Sequence, residues 1–328
     1  MVWILDVFTI TYRHHPSPFF GASAIRIPWF CIITFSMLRH LLALSYCWVV
    51  PRPLSSESAL ELLETHIFPT HQYTERSNFN RYDVLAQSSS SRILAANDPQ
   101  LQFTYGEFPL TSLDLLLDHA VLYLQQQQQQ QPTNIPPPRY TVLDVGSGCG
   151  RPALYMALTR SFQRVWGIEA SERLHQEGLR ALQQAADGEY LLLVEEEEEE
   201  SSDKNKGDPT TITTITNNHP SSSSLTTEIH LFQGLAQDYA HLLAHADIIF
   251  CYSTAFDSNG VFLPDVGGMV LADEWNLLFS QNCRPGTLVI TTDRCLNLSA
   301  QQWKLIQRLD SVPNPPVLDS TCFLQQKL

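Results

Sequence analysis

Residues Tyr140 to Leu158 read YTVLDVGSGCGRPALYMAL: an apolar strand that ends on Asp144, then three glycines at alternate positions, Gly146, Gly148 and Gly150. Glycine at these places lets the backbone turn sharply and approach a ligand more closely than any Cβ would allow. The chain then reads as a helix from Arg151 to Arg160, with Pro152 suited to its first turn. A glycine turn between strand and helix belongs at the carboxyl edge of a parallel sheet, where such folds hold nucleotide-like ligands.

Downstream, the pattern alternates. Arg164 to Ile168 reads as a second strand closing on Glu169, and Ser171 followed by Glu172 opens a helix to about Ala186. A third strand is expected at Glu228 to Phe232, a helix near Gln237 to Ala244, a fourth strand at Asp247 to Cys251, a helix near Pro264 to Gln281, and a fifth strand at Thr287 to Thr291. Strands separated by helices imply an α/β fold: a doubly wound, Rossmann-like, mostly parallel sheet with helices on both faces.

The spacing selects the ligand. A dinucleotide loop reads G-x-G-x-x-G and meets a pyrophosphate with a helix amino end. Here the third glycine falls one residue early, and an acid precedes the first. Asp144 would repel a pyrophosphate and welcome a ligand carrying an amino group and a sulfonium. A carboxylate at Glu169 is placed to accept hydrogen bonds from ribose hydroxyls. The loop, the acid and the strand order together resemble the class I (seven-strand) methyltransferases, which use S-adenosyl-L-methionine and have this form of first motif. The resemblance implies the class I methyltransferase fold, that cofactor, and cofactor contacts from Asp144, Gly146, Ser147, Gly148, Gly150, Glu169 and Gly234.

A second stretch, FTYGEFPLTSLDLLLDHA from Phe103 to Ala120, looks like the loop of the disruptor-of-telomeric-silencing type of histone-lysine methyltransferase. Tyr105, Gly106, Glu107, Thr111, Ser112, Asp114 and Leu115 match, while Phe108, Pro109 and Leu110 widen the gap. The resemblance implies that this loop covers the methionine end of the cofactor, with Tyr105, Glu107 and Thr111 as contacts; taken alone, it is a loop in which Thr111 caps a helix. A third stretch, IIFCYSTAFDSNG from Ile248 to Gly260, keeps the family's Ala255 and Phe256 but puts Tyr252, Ser253 and Thr254 where it has Asn, Asn and Phe. In QGLAQD, Leu235 stands where an acid near the adenine is common, leaving Asp238 as a displaced candidate.

Methyl transfer from a sulfonium needs a nucleophile held in line at about 3 to 3.5 Å, and no covalent enzyme group. Tyr252, Ser253 and Phe256 are the candidate catalytic positions. Tyr252 and Phe256 would wall a dry pocket that keeps an amine acceptor neutral, and Ser253 or Thr254 would accept its hydrogen bond; all four also fit strand-end packing. The acceptor, a protein side chain or a small molecule, is not readable from these residues. Two other readings stay open, a histone lysine and a catalytically inactive S-adenosylmethionine-binding protein.

The rest of the 328-residue chain bounds the partners. A formal net charge of −14, with the acidic run Glu195 to Glu200 and no basic tract, argues against direct nucleic-acid binding. Seven scattered cysteines with no CxxC pair indicate neither a zinc site nor a disulfide framework. Residues 1–55 carry Arg13, Arg26, Arg39 and Arg52 amid aromatic and aliphatic residues, and MLRHLLALSYCWVVPRPLSS from Met37 resembles a signal peptide in layout. This leader, expected to be poorly ordered, implies secretory or organelle targeting, and offers the one route to a membrane; if it is a mis-assigned start, a nuclear or cytoplasmic place follows. Residues 56–124 are expected as a helical region with the covering loop, 125–139 as a low-complexity linker, and 140–328 as the cofactor-binding methyltransferase domain. A disordered insertion is expected at about 195–227, since its apolar content is too low to offset the entropy of ordering it. Oligomeric state leaves no trace in the sequence.

Overall fold

In the computed structural model, the described residues are 46–50, 53–69, 72–73, 76, 106–129, 139–195, 226–298, 301–314 and 319–328. The chain separates into Met1–Leu42 and Ala43–Leu328, and the first of these lies outside the described residues, as do residues 130–138 of the linker and nearly all of the acidic insertion. Among the described residues no helix is long and apolar enough to cross a membrane.

The glycine stretch forms as expected: β2 is Thr141–Val145 and α3 is Arg151–Thr159, preceded by β1 (Tyr46–Val50), α1 (Ser56–Glu61), a π-helical turn at Leu62–Ile67 and α2 (Leu110–Gln129). There follow β3 (Arg164–Glu169), α4 (Glu172–Asp187), β4 (Leu192–Glu195), β5 (Thr227–Gln233), α5 (Ala240–His245) and β6 (Ile248–Cys251). The chain ends through β7 (Ser258–Leu263), β8 (Gly268–Leu271), α6 (Asp273–Asn282), β9 (Leu288–Thr292), β10 (Arg294–Cys295), β11 (Trp303–Val312) and β12 (Ser320–Lys327).

A nine-stranded sheet has the order β11-β12-β9-β6-β2-β3-β5-β1-β4. Its centre, β9-β6-β2-β3-β5, is parallel, and antiparallel pairs extend it at both edges. Side chains alternate along each central strand, so Val142, Ile248, Phe250 and Ile290 join one core with α2, α3 and α4, while Leu143, Val145, Ile249 and Val289 join a second with α5 and α6. This is the doubly wound, Rossmann-like fold with helices on both faces. From β2 the chain passes through α3 to β3 on one side, and after β5 it crosses back through α5 to β6 on the other side of β2; such a switch point opens a crevice beyond the carboxyl ends of β2 and β6.

Three regions differ from the sequence reading. The expected helix from Pro264 is instead the end of a hairpin, β7 and β8 pairing antiparallel around Gly267 at φ +69°, and the helix begins only at Asp273. Asp265, Gly267 and Gly268 favour a turn over a helix, and the apolar runs on either side pair as strands. At the other end, Tyr46–Val50 is not an unstructured part of a leader; it pairs with β5 and β4. Helix α2 continues to Gln129, into the glutamine run assigned to a linker, as unbranched glutamine allows.

Close packing between α4 and the sheet has one crowded point. A Cβ on Gly178 would lie 2.8 Å from Leu231 Cδ1 and 3.2 Å from the Cys149 carbonyl oxygen, and one on Gly167 would lie 2.7 Å from Leu231 Cδ2. Gly178→Val should therefore destabilise the protein by about 1–3 kcal/mol, the usual cost of overpacking a filled core. A urea midpoint equal to that of the unaltered protein would show that this contact can open freely.

Candidate functional site

The glycine loop is built around Glu169, the last residue of β3. One of its carboxylate oxygens, Oε2, accepts a hydrogen bond from the Gly148 amide at 2.7 Å, and the other, Oε1, accepts one from the Ser171 amide at 2.7 Å. The amides of Gly146 and Ser147 both donate to the Ile168 carbonyl at 2.9 Å. Gly146 and Gly148 sit at φ +76° and +57°, a region L side chains avoid, so the turn depends on them. Glu169 thus ties the loop of one strand to the end of its neighbour.

Beside it lies Asp144, 1% exposed, whose Oδ2 has no hydrogen-bond partner. Burial, with the Glu169 carboxylate second, pushes its carboxyl well above the usual carboxylate range. The same burial, with Asp144 adding to it, raises the Cys251 thiol, which stays protonated.

These groups share one cavity of about 290 Å³. Glu107, Asp144, Gly146, Ser147, Gly148, Glu169, Gly234, Tyr252 and Phe256 all line it, so most of the residues expected from sequence come together at the switch point. Phe256 stacks on Trp275 with ring centroids 4.4 Å apart, and the Phe256 ring would be 3.4 Å from a Cβ on Gly146. Tyr252 packs against Phe108 at 5.2 Å.

The remaining expected residues are not part of that group. Tyr105 lies outside the described residues. Thr111 is exposed on α2 and is not among the cavity residues; Ser112, its neighbour, faces inward instead and donates to the Pro313 carbonyl at 2.6 Å. Gly150 caps α3 at φ +74°, and a Cβ there would meet Leu231 Cδ1 at 2.9 Å, so its small size serves packing of the helix rather than ligand approach. Ser253 is fully buried: its hydroxyl donates to the Thr292 carbonyl at 2.8 Å and accepts from the Thr292 amide at 3.0 Å. Held by the backbone of β9 and closed off from solvent, that hydroxyl is not among the cavity residues. Thr254 is likewise spent on Asp293, at 2.6 Å. Leu235 lines the cavity, while Asp238 accepts from the Leu235 amide at 3.1 Å outside it.

Sequence reasoning missed several members. Arg151, 8% exposed, lines the cavity; it donates to the Phe108 carbonyl at 3.1 Å and pairs with Glu64 at 3.0 Å. Arg76 pairs with Glu107 at 2.6 Å, so the Glu107 carboxylate is held among cations. Tyr73 lies near enough to Glu107 and Tyr252 that, after burial, their charges raise its phenol. Arg151 carried a readable sign only as a helix start. Arg76, Tyr73 and Trp275 belong to segments without a motif.

Asp144 gives a prediction with two opposite signs. Its folded-state pKa is above the roughly 3.9 of an unfolded aspartate, so within that window the folded protein holds a proton the unfolded chain has lost. The stability it contributes is present below the unfolded value and is lost as pH rises through the folded one. Asp144→Asn should flatten this slope and raise the melting temperature at pH 7 by a few degrees, about the shift 1 kcal/mol produces in a domain of this size. The same change should weaken a cationic ligand. Thermal melts from pH 4 to 8 check the first claim; a variant that melts lower at every pH would refute it.

No family model and no curated protein matches the chain. Among solved structures, it is similar to MtNAS in complex with MTA and tNA, at 9% identity over 84% of this chain and 82% of that one, with a TM-score of 0.37. TrmN from Thermus thermophilus is 15% identical over 58% of this chain and 45% of that one, with a TM-score of 0.33. Aeropyrum pernix fibrillarin, solved with natively bound S-adenosyl-L-methionine, is 12% identical over 60% of this chain and 71% of that one, with a TM-score of 0.32.

Proposed function

We propose that this chain is an S-adenosyl-L-methionine-dependent methyltransferase whose acceptor is a protein side chain or a small molecule. The observation that carries the reading is Asp144: a buried carboxylate oxygen without a partner, on the wall of a cavity beside a second carboxylate. A buried charge is tolerated when a counter-charge reaches it. A ligand with an ammonium and a sulfonium meets that need, and a pyrophosphate would worsen it.

The chain's own residues divide the work. Asp144 takes the ammonium, Glu169 accepts from the ribose hydroxyls, and the open-backbone turn at Gly146 and Gly148 admits the ligand. Gly234, Leu235 and Ala236 form the wall beyond β5, where an adenine lies in this reading. When bound, the sulfonium supplies an electrophilic methyl group. Tyr252, Phe256 and Trp275 would exclude water and orient the acceptor, whose lone pair would attack the methyl carbon in line as the carbon–sulfur bond breaks and the sulfonium leaves as a neutral thioether, with the acceptor's surplus proton passing to solvent. No side chain forms a covalent intermediate.

A histone lysine ranks below another acceptor. Attachment to nucleosomal DNA draws on Lys and Arg contacts to phosphates, and this chain has 20 Lys+Arg against 34 Asp+Glu. The test is transfer of tritiated methyl groups from S-adenosyl-L-methionine by the full chain, with fractionated lysate and recombinant nucleosomes as acceptors at physiological salt. Saturable incorporation into a non-histone fraction supports the proposal. Robust labelling of a histone lysine would reverse the ranking, and cofactor binding with no transfer to any fraction would leave a binding protein without activity.

A further inference from the structure

We infer that Asn314, two residues after β11, is a positioning residue that acts through Tyr252 to hold the segment Gly106–Phe108 over the cavity. The inference rests on the methyltransferase reading only for the ligand used in one arm of its test.

Tyr252 follows β6 and is gripped on two sides. The covering segment presses on its ring: a Cβ on Gly106 would lie 2.9 Å from Tyr252 Cε1, and the Phe108 ring packs at 5.2 Å. At the far end of the ring, the hydroxyl accepts from Asn314 Nδ2 at 3.1 Å and faces Asn314 Oδ1 at 3.4 Å.

Asn314 is 1% exposed and is itself fixed. Its Nδ2 also donates to Ser320 Oγ at 2.8 Å, and Ser320 Oγ donates to Asp293 Oδ2 at 3.0 Å. Asp293 accepts from the Thr321 amide at 2.9 Å and from Thr254 Oγ1 at 2.6 Å. A buried chain of satisfied hydrogen bonds is rigid, because rotating one member strands its neighbours. Next to Asn314, the Pro313 carbonyl accepts from Ser112 Oγ at 2.6 Å, in the first turn of the helix α2 that follows the covering segment.

Phe108 is pinned from the opposite side by Arg151. Between these anchors, Tyr252 is the brace that carries the order of the Asn314–Ser320–Asp293 hydrogen bonds to the covering segment. Its hydroxyl has this structural partner, and losing the bond should leave the ring free to swing from Gly106.

The experiment uses the full chain with Tyr252→Phe, Asn314→Leu and both together. Hydrogen exchange of the amides in 106–113, followed by mass spectrometry without ligand, should speed up about fivefold in either single variant, the factor of one lost hydrogen bond. The double variant should go no further, because both changes cut one link. Gly106→Ala, which must displace the ring, should match them. Dissociation of S-adenosyl-L-methionine in stopped flow should quicken by a similar factor. If Asn314→Leu fails to fold, Tyr252→Phe decides, since it keeps the ring and removes only the hydroxyl. Unchanged exchange in Tyr252→Phe, or a double variant whose effects multiply, would overturn the inference. Altered exchange in a chain that binds no S-adenosyl-L-methionine would sustain the brace and sink the proposed function.

Discussion

Gly148→Arg abolishes ligand binding in this account, with no saturable heat on titration of S-adenosyl-L-methionine. Two effects combine. At φ +57° a side chain is strained, at a cost of order 1–2 kcal/mol, and an arginine at the cavity wall fills space the ligand needs. The Gly148 amide also donates to Glu169, so distortion of the turn loosens the carboxylate expected to hold the ribose. The variant should stay folded, because the loop sits at the sheet edge and both hydrophobic cores lie beneath it; circular dichroism separates lost binding from lost structure. Binding within threefold of the unaltered protein would mean that the ligand enters elsewhere.

Glu169→Ala comes next in size. In the protein it joins two backbone amides across the end of β3, and in the proposed complex it also accepts from the ligand. Hydrogen bonds to a charged group contribute about 1.5–3 kcal/mol each, so removing the carboxylate should weaken S-adenosyl-L-methionine by about 1–3 kcal/mol, roughly five- to 150-fold. The Gly148 and Ser171 amides lose their acceptor as well, so the variant should also melt lower. Glu169→Gln keeps an acceptor for one amide and should fall between. Calorimetric affinities indistinguishable among the three proteins would remove Glu169 from the site.

How much of this was legible can be traced through particular residues. The central strands were readable because β2, β3, β6 and β9 are short apolar runs buried on both faces, and α4 announces its start through Ser171, whose hydroxyl accepts from the Leu174 amide. The hairpin at β7 and β8 was not. Its residues are apolar enough for a helix, and two adjacent glycines decide the matter only once a partner strand exists. Strand β1 and the edge strand β4 pair with each other across 142 or more intervening residues, at Val49 with Leu192 and Tyr46 with Glu195, and no local pattern encodes so distant a partner.

The site divides in the same way. Gly146, Gly148, Asp144 and Glu169 belong to one turn and the strand beside it, so their spacing is their geometry. Ser253 looked available because it follows a strand end next to Tyr252; only the β9 backbone shows that its hydroxyl is taken. Arg76, Trp275 and Asn314 reach the cavity or its walls from segments far apart in sequence, and none carries a local sign of it. Gly150 had the right spacing for a ligand contact, but its neighbours are Leu231 and Gly178. Its role is set by packing that spacing cannot express.

The central claim is that the acid before the first glycine and the tight spacing after it select a cationic adenosyl ligand over a pyrophosphate. The direct measurement is a pair of calorimetric titrations of the full chain at pH 7, one with S-adenosyl-L-methionine and one with NAD. Saturable one-to-one binding of S-adenosyl-L-methionine, weakened in Asp144→Asn, with no binding of NAD, is expected. Saturable binding of NAD with none of S-adenosyl-L-methionine would contradict it.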